Sequence, residues 1–180
     1  MSRQIKNIIA ITTFLICIGL INIAGQNIEI EIRGMNAFTF ILIVAVLLQI
    51  IFFIPSFLLK TEKYYDLVGS LTYVTTVSLA YFAVENKTMI DSIIYFYVMV
   101  WASRLGIYLF RRVRNDGKDV RFEKAKRHFF WFLQYWMGQA LWVSLTACTA
   151  IIGILSPEDD LLPVLAMIAV SYTHLRAHET

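Results

Sequence analysis

Charged side chains are scarce in this chain of 180 residues, at 16% of the total, and cysteine, proline and histidine are scarcer still. The two cysteines and three histidines form no cluster with metal-ligand spacing, and no glycine-rich loop of the kind that cradles phosphate is present. Cys17 and Cys148 both lie inside apolar segments, which is typical of small buried hydrophobic residues. These shortages exclude a disulfide framework, a cysteine–histidine metal module and a P-loop site.

Apolar residues are what the chain has in abundance. They make up 58% of the sequence, and the mean hydropathy of +0.65 is more than a soluble domain of this size can bury. A helix that crosses a bilayer needs about 20 such residues. Five runs are long enough or nearly so: Ile8–Ala24, Ala37–Leu59, Leu67–Val84, Ser92–Phe110 and Phe129–Leu155.

A sixth apolar run begins at Leu161. The sequence therefore predicts an all-α, polytopic membrane protein with five transmembrane helices plus the start of a sixth, in one membrane domain over residues 1–169. Arg3 and Lys6 before the first run also fit a secretory signal, which is the alternative for that run. We favour a retained helix, because the run is long for a signal and no clear A-x-A cleavage site follows it.

The basic residues predict the orientation of the protein. The basic segment, residues 111–127, carries eight Lys/Arg against three Asp/Glu, so it cannot cross a bilayer. With the N-terminus inside, the inner segments hold twelve basic residues and the outer segments only Arg33 and Lys87. This bias predicts a cytoplasmic N-terminus and a cytoplasmic loop 111–128. The net charge of +3 thus follows the membrane topology, and we expect neither a nucleic-acid partner nor a metal.

The last eleven residues, 170–180, do not fit the rest of the chain. They interrupt the sixth apolar run after nine residues and resemble the translated sequence of a transposase-type sequencing adapter. A natural polar end at mid-membrane depth would be costly. We therefore expect residues 170–180 to be non-native and the natural protein to continue past about residue 169. The i,i+4 pair His174 and His178 is accordingly not interpreted as a metal site.

The loop Lys60–Asp66 between the second and third runs admits two interpretations. In the first, Thr61 or Asp66 caps the third helix, and the tyrosines lie at the level of the lipid headgroups. In the second, Glu62 and Asp66 point into a cytoplasmic-side cavity as proton-donating or substrate-binding groups.

Three polar residues lie within apolar runs. Arg104 is seven residues before Arg111, about 10 Å along a helix. It makes either a buried ion pair or anion contact, with Asp66 and Glu62 as natural partners, or it snorkels to the interface. Gln134 and Gln139 should face other helices or a cavity, because an amide facing lipid would be unsatisfied.

Several stretches in combination resemble one family, the domain-of-unknown-function 1295 family of membrane proteins, grouped with steroid 5-alpha-reductases. The resemblance runs from about Phe53 to Ser144. The stretches are Tyr65-Asp-Leu-Val-Gly-Ser-Leu-Thr-Tyr73, Trp101-Ala-Ser-Arg-Leu-Gly-Ile-Tyr-Leu109, Lys118-Asp-Val-Arg-Phe122 and Phe132-Leu-Gln-Tyr-Trp-Met-Gly-Gln-Ala-Leu-Trp-Val143.

This resemblance implies a helical membrane fold with a polar cavity open to the cytoplasm. It implies NADPH-dependent reduction of a carbon–carbon double bond next to a carbonyl, in a steroid-like or other lipid substrate. Its better-characterised reductases polarise the carbonyl with an acidic or amide side chain and a tyrosine. The local candidates here are Glu62 with Tyr65 or Tyr73, although no acid precedes Pro55 in the Phe53–Phe57 stretch.

Cofactor phosphates would arrive at the cytoplasmic basic segment beside Arg104. The candidate cofactor-binding residues are Arg104, Arg112, Lys118 and Arg121. The C-terminal Arg-His-Pro-Asn-Tyr type motif, which supplies most cofactor contacts in this superfamily, is absent from the sequence. The resemblance therefore implies NADPH for the full-length parent, and an inactive N-terminal fragment without cofactor for this chain.

Two other functions remain open from the sequence. One is a membrane methyltransferase of the isoprenylcysteine carboxyl methyltransferase type, which shares the same broad fold. The other is a non-enzymatic membrane protein whose basic cytoplasmic loop docks on anionic lipid or a partner. In each case membrane lipids surround the protein.

Overall fold

A computed structural model describes residues 2–116 and 122–156. Within these residues the chain folds into five helices joined by short connections: α1 (Arg3–Ile23), α2 (Ala37–Leu58), α3 (Tyr65–Ala83), α4 (Met89–Asp116) and α5 (Phe129–Leu155). Between α1 and α2 lies an antiparallel hairpin of two short strands, β1 (Glu31–Ile32) and β2 (Met35–Asn36). A single 3-10 turn, Ala125–Arg127, precedes α5. The predicted all-α architecture is confirmed.

Local side chains explain where two of the helices begin. The Ser2 hydroxyl accepts a hydrogen bond from the Ile5 amide and caps α1, and Asn36 Oδ1 accepts one from the Thr39 amide at 3.0 Å and caps α2. The expected cap of α3 by Thr61 or Asp66 is wrong. Tyr64 occupies that N-cap position without a side-chain hydrogen bond, and α3 starts at Tyr65.

Helix α5 lies at the centre of the bundle, because it contacts all four other helices. Helix α3 packs between α4 and α5 and also contacts α2. A second hydrophobic cluster, separate from the main core, closes the end of the bundle that carries the basic segment, which we term the basic end. Its fully or almost fully buried members include Phe53, Val68, Phe122, Phe132 and Trp136.

Four of the described helices are long and apolar enough to cross a membrane: α1, α2, α4 (over Met89–Val113) and α5. The chain is thus an integral membrane protein. Helix α3 has 19 residues but is less apolar, because it carries several serine and threonine hydroxyls. The buried ones bond within the bundle: Ser70 donates to the Ala102 carbonyl and Thr72 to the Val68 carbonyl. A fifth crossing by α3 remains a prediction.

Two predictions from the sequence concern the end of α4 and the residues after α5. Helix α4 is longer than its apolar run, since it continues through residues 111–116 of the basic segment. That segment is therefore partly helical rather than wholly a loop. The sixth apolar run and the tail 170–180 lie outside the described residues.

Candidate functional site

Two ion pairs between described residues at the basic end join segments that are far apart in the sequence. Lys126 Nζ, in the 3-10 turn, donates to Glu62 Oε2 at 2.8 Å, and the Glu62 side chain is only 4% exposed. Arg112 of α4 lies 3.4 Å from Asp66 Oδ2 in the first turn of α3. The carboxylates of the loop Lys60–Asp66 are therefore paired with the basic segment.

Arg104 does not make the ion pair that the sequence suggested with Asp66 or Glu62. It is exposed and forms no hydrogen bond or ion pair with the described residues. The reason is helical phase: seven residues place Arg104 and Arg111 on the same face of α4, while Arg112 is turned toward α3. An anion contact and snorkelling remain open for Arg104.

An open groove of about 940 Å³ runs along this face of α4. Its described lining residues all belong to α4: Phe96, Met99, Val100, Ser103, Arg104, Ile107, Tyr108, Arg111 and Arg112. The wall is largely apolar from Phe96 to Val100 and becomes cationic toward the basic end. Its volume lies within the range of small-molecule sites, about 300–1,000 Å³. The groove is thus suited to an amphiphile or to a ligand with an anionic end.

A smaller cavity of about 350 Å³ lies between α1, α3 and α5. Its described lining consists of Phe14, Tyr65, Gln134, Tyr135, Gly138, Gln139 and Trp142. The prediction that Gln134 and Gln139 face a cavity is confirmed. None of these lining side chains is charged, so the cavity is polar but neutral.

The three candidate catalytic residues occupy two places. Tyr65 follows Glu62 closely, and its hydroxyl donates to the Tyr135 carbonyl at 2.9 Å beside the smaller cavity. Tyr73 lies eight residues further along α3, about 12 Å away along the axis. Its hydroxyl donates to the Thr146 hydroxyl, which itself donates to the Trp142 carbonyl at 2.7 Å. Glu62 and Tyr65 are thus neighbours at the start of α3, where the Tyr65 amide donates to the Glu62 carbonyl at 3.0 Å, and Tyr73 lies apart from them.

The candidate cofactor-binding residues are only partly described. Arg104 and Arg112 both line the α4 groove, whereas Lys118 and Arg121 lie outside the described residues. Arg111 also lines the groove, and the sequence interpretation did not select it. The seven-residue spacing from Arg104 was the signal that could have identified it, because that spacing repeats on one helix face.

Gln49 is a second residue that the sequence interpretation missed. It is completely buried in α2, and its Nε2 donates to the Thr72 hydroxyl of α3 at 2.9 Å. Its Oε1 has no hydrogen-bond partner among the described residues. An amide is rarely buried half-satisfied without a reason, so Gln49 is a candidate for contact with a ligand. The signal was an isolated glutamine in an otherwise apolar run.

Glycines in the stretches that carry the family resemblance allow α3, α4 and α5 to approach one another closely. A Cβ atom at Gly106 of α4 would overlap the Ser70 side chain, whose hydroxyl bonds to Ala102. A Cβ atom at Gly69 would likewise overlap the Gln139 amide of α5. These glycines place two polar side chains between helices, a packing mode common in membrane bundles.

The fold and these sites define a polytopic helical membrane protein with paired charges at one end and an amphipathic groove beside it. The chain belongs to the family described as "Protein of unknown function (DUF1295)", whose model matches residues 52–175, more than half of the chain. The matched range covers α3, α4 and α5 and continues into residues 157–175, outside the described part. A search of the curated proteins and a search of the solved structures each found no match.

Proposed function

We propose that this protein forms the N-terminal, membrane-embedded part of an NADPH-dependent reductase. The reaction would reduce a carbon–carbon double bond next to a carbonyl in a steroid-like or other lipid. The observation that supports this most is the α4 groove, whose apolar wall ends at Arg104 and Arg111. A phosphorylated cofactor from the aqueous phase would find guanidinium groups for its phosphates at such a boundary. The choice of reduction rests on the family resemblance.

The guanidinium groups of the groove fit the phosphates of NADPH. Arg104 and Arg111 are exposed and have no carboxylate partner among the described residues, and the Arg112 side chain is 42% exposed beside Asp66. Arginine binds phosphate through paired hydrogen bonds. These three residues would hold the cofactor, with Lys118 and Arg121 as further candidates, and NADPH would supply the hydride.

The same charges favour a reductase over a methyltransferase. S-adenosylmethionine carries one carboxylate and no phosphate, so the several guanidinium groups of the groove match the phosphates of NADPH more closely. A purely docking function would not need the neutral cavity beside Tyr65. For these reasons we propose the reductase. The assay below can still detect a methyltransferase, or a protein with neither activity.

On the substrate side, Tyr65 is the best-placed of the three catalytic candidates. It lines the smaller cavity and is half-buried, and its hydroxyl can exchange the Tyr135 carbonyl for a substrate carbonyl at little cost. Glu62 is engaged by Lys126, so we assign it the positioning of the loop that precedes Tyr65. Tyr73 and Gln49 would support the polar interior further along the bundle.

The experiment is an activity assay of the full-length protein, with the natural sequence in place of residues 170–180, in lipid nanodiscs. NADPH consumption is measured with a panel of α,β-unsaturated lipid ketones, and methyl transfer from S-adenosylmethionine is measured in parallel. We expect NADPH-dependent formation of the saturated ketone, and no activity from the chain of 180 residues alone. Methyl transfer, or neither reaction, would contradict the proposal.

Two tyrosine variants make the test specific. Tyr65→Phe should lower turnover by about a hundredfold or more, as expected for loss of a general acid. Tyr64→Phe is the matched control, because Tyr64 is adjacent and 50% exposed. An equal effect of both substitutions would remove Tyr65 from the catalytic role.

A further inference from the structure

The cavity between α1, α3 and α5 contains a hydrogen-bonding group that the proposed reduction does not use. The Gln139 amide lines the cavity, and its Oε1 is buried without a partner among the described residues. Buried polar atoms in native proteins are nearly always paired with protein, water or ligand. The Gln139 amide is therefore the group from which the chemistry of a ligand can be deduced.

The packing of α3 holds this amide in place. Gly69 lies directly against it, since a Cβ atom at that position would overlap the Gln139 side chain. An amide presents one acceptor and two donors, and its oxygen and nitrogen can exchange places by a flip. A hydroxyl group both donates and accepts, so it satisfies the amide in either orientation.

The remaining lining restricts the ligand to a neutral one. No charged side chain is among the described lining residues, so an ionised carboxylate, phosphate or amine would be desolvated without compensation. The other walls are the rings of Phe14, Tyr135 and Trp142 and the bare backbone of Gly138. Aromatic walls of this kind suit an aliphatic or polycyclic body.

The position of the cavity indicates how the ligand would enter. Trp142, one of its lining residues, is 55% exposed, so the cavity reaches the outer surface of the bundle at α5. Gln134 and Gln139 lie 5 and 10 residues after Phe129, about 8 and 15 Å from the start of α5. That depth lies below the headgroups, within reach of a lipid that enters sideways.

We propose that this cavity binds the hydroxyl end of a neutral, hydroxyl-bearing lipid, with the Gln139 amide as the recognising group and the rest of the lipid in the bilayer. The site shares Tyr65 with the proposed reductase, so to that extent the inference rests on the proposed function and narrows its substrate class. The binding itself requires neither cofactor nor turnover.

The test uses a long-chain alcohol that carries a diazirine and an alkyne, with the protein in nanodiscs of uncharged phospholipid and no NADPH. Photolabelling should map to peptides of α1, α3 and α5 around the cavity. The unlabelled alcohol should compete about tenfold better than the alkane of the same length, which can neither donate nor accept a hydrogen bond. Equal competition by alcohol and alkane, or labelling spread over all helices, would overturn the inference.

Two variants keep the result interpretable. Gln139→Leu should abolish the preference for alcohol over alkane without unfolding the bundle, because the oxygen it removes has no described partner. Gly138→Leu should reduce labelling by filling the cavity, as a Cβ atom there already lies 3.4 Å from the Phe14 ring. Gln4→Leu, on the exposed surface of α1, is the control. A preference that survives Gln139→Leu would overturn the role of the amide.

The outcomes for binding and reduction are separable. Alcohol binding in a protein that never oxidises NADPH would leave this inference standing and remove the reductase. NADPH-dependent reduction of ketones in a protein with no preference for hydroxyl-bearing lipids would support the reductase and overturn this inference.

Discussion

At the scale of single residues, the basic end of the bundle is held together by charges from distant segments. The sequence predicted that the loop Lys60–Asp66 and the basic segment lie on the same side of the membrane. It did not predict that Lys126 pairs with Glu62. That contact depends on the 3-10 turn Ala125–Arg127. It also depends on the packing of Phe122 against Tyr65, whose ring centroids lie 4.8 Å apart. The ion pair of Arg104 with Asp66 or Glu62 was wrong for a related reason, since the choice of partner follows the phase of the helix.

Lys126→Ala should destabilise the protein by about 1–3 kcal/mol, because it removes a partner from a buried carboxylate. The side chain of Glu62 is 4% exposed, so water cannot replace the lysine fully. Thermal unfolding in detergent, followed by circular dichroism, gives the difference. Lys124→Ala is the control, since Lys124 is exposed two residues away. Equal melting temperatures for the two variants would show that the buried pair is not stabilising.

Gln49→Leu should change stability by less than about 1 kcal/mol, because the glutamine is only half-satisfied and Thr72 keeps its bond to the Val68 carbonyl. Gln49→Glu should be strongly destabilising, since it buries an ionisable carboxyl group in the bundle. The same unfolding assay compares the two. A large loss in Gln49→Leu would mean that the amide is a structural residue and not a ligand contact.

At the scale of elements, hydropathy predicted the five helices well and their ends less well. The apolar runs are visible because lipid and core both require them. Helix α4 extends beyond its run because arginine and asparagine are compatible with a helix in water, and no proline stops it. The close contact between α3 and α4 was not predictable, because it depends on which faces carry small residues.

Gly106→Ala and Gly19→Ala should have opposite effects, although both replace a glycine within a helix. At Gly106 the added methyl group overlaps the Ser70 side chain, so about 1–3 kcal/mol of stability should be lost. At Gly19 nothing lies within 4 Å of the new Cβ atom, so the change should be neutral or slightly stabilising. Melting temperatures in one detergent provide the comparison. Equal behaviour at both sites would refute the tight α3–α4 contact.

At the scale of the whole molecule, the distribution of charge predicts the orientation of the protein in the membrane. Whether α3 crosses the membrane is a separate question, because α3 is rich in hydroxyl groups. Lys63 and Lys87 flank α3 on its two sides. If α3 crosses the bilayer, these residues lie on opposite faces, with Lys63 inside. If α3 lies within the bundle without crossing, both lie on one face.

Single-cysteine variants at these two positions, with Cys17 and Cys148 replaced by alanine, decide between the arrangements. A membrane-impermeant maleimide should label Lys87→Cys in intact cells and Lys63→Cys only after permeabilisation. Labelling of neither in intact cells, or of both, would place the two residues on one side of the membrane and rule out a crossing by α3. Labelling of Lys63→Cys alone would reverse the predicted orientation.

The reductase proposal depends most on whether the α4 groove binds the phosphates of a cofactor. Equilibrium titration of NADPH into the full-length protein in nanodiscs measures the affinity of this groove for the cofactor directly. We predict that Arg104→Ala and Arg111→Ala each weaken binding about tenfold or more, through loss of a charge-assisted hydrogen bond, while Lys124→Ala leaves the affinity unchanged. Equal affinity in all four proteins, or no binding by the wild type, would contradict the proposed function.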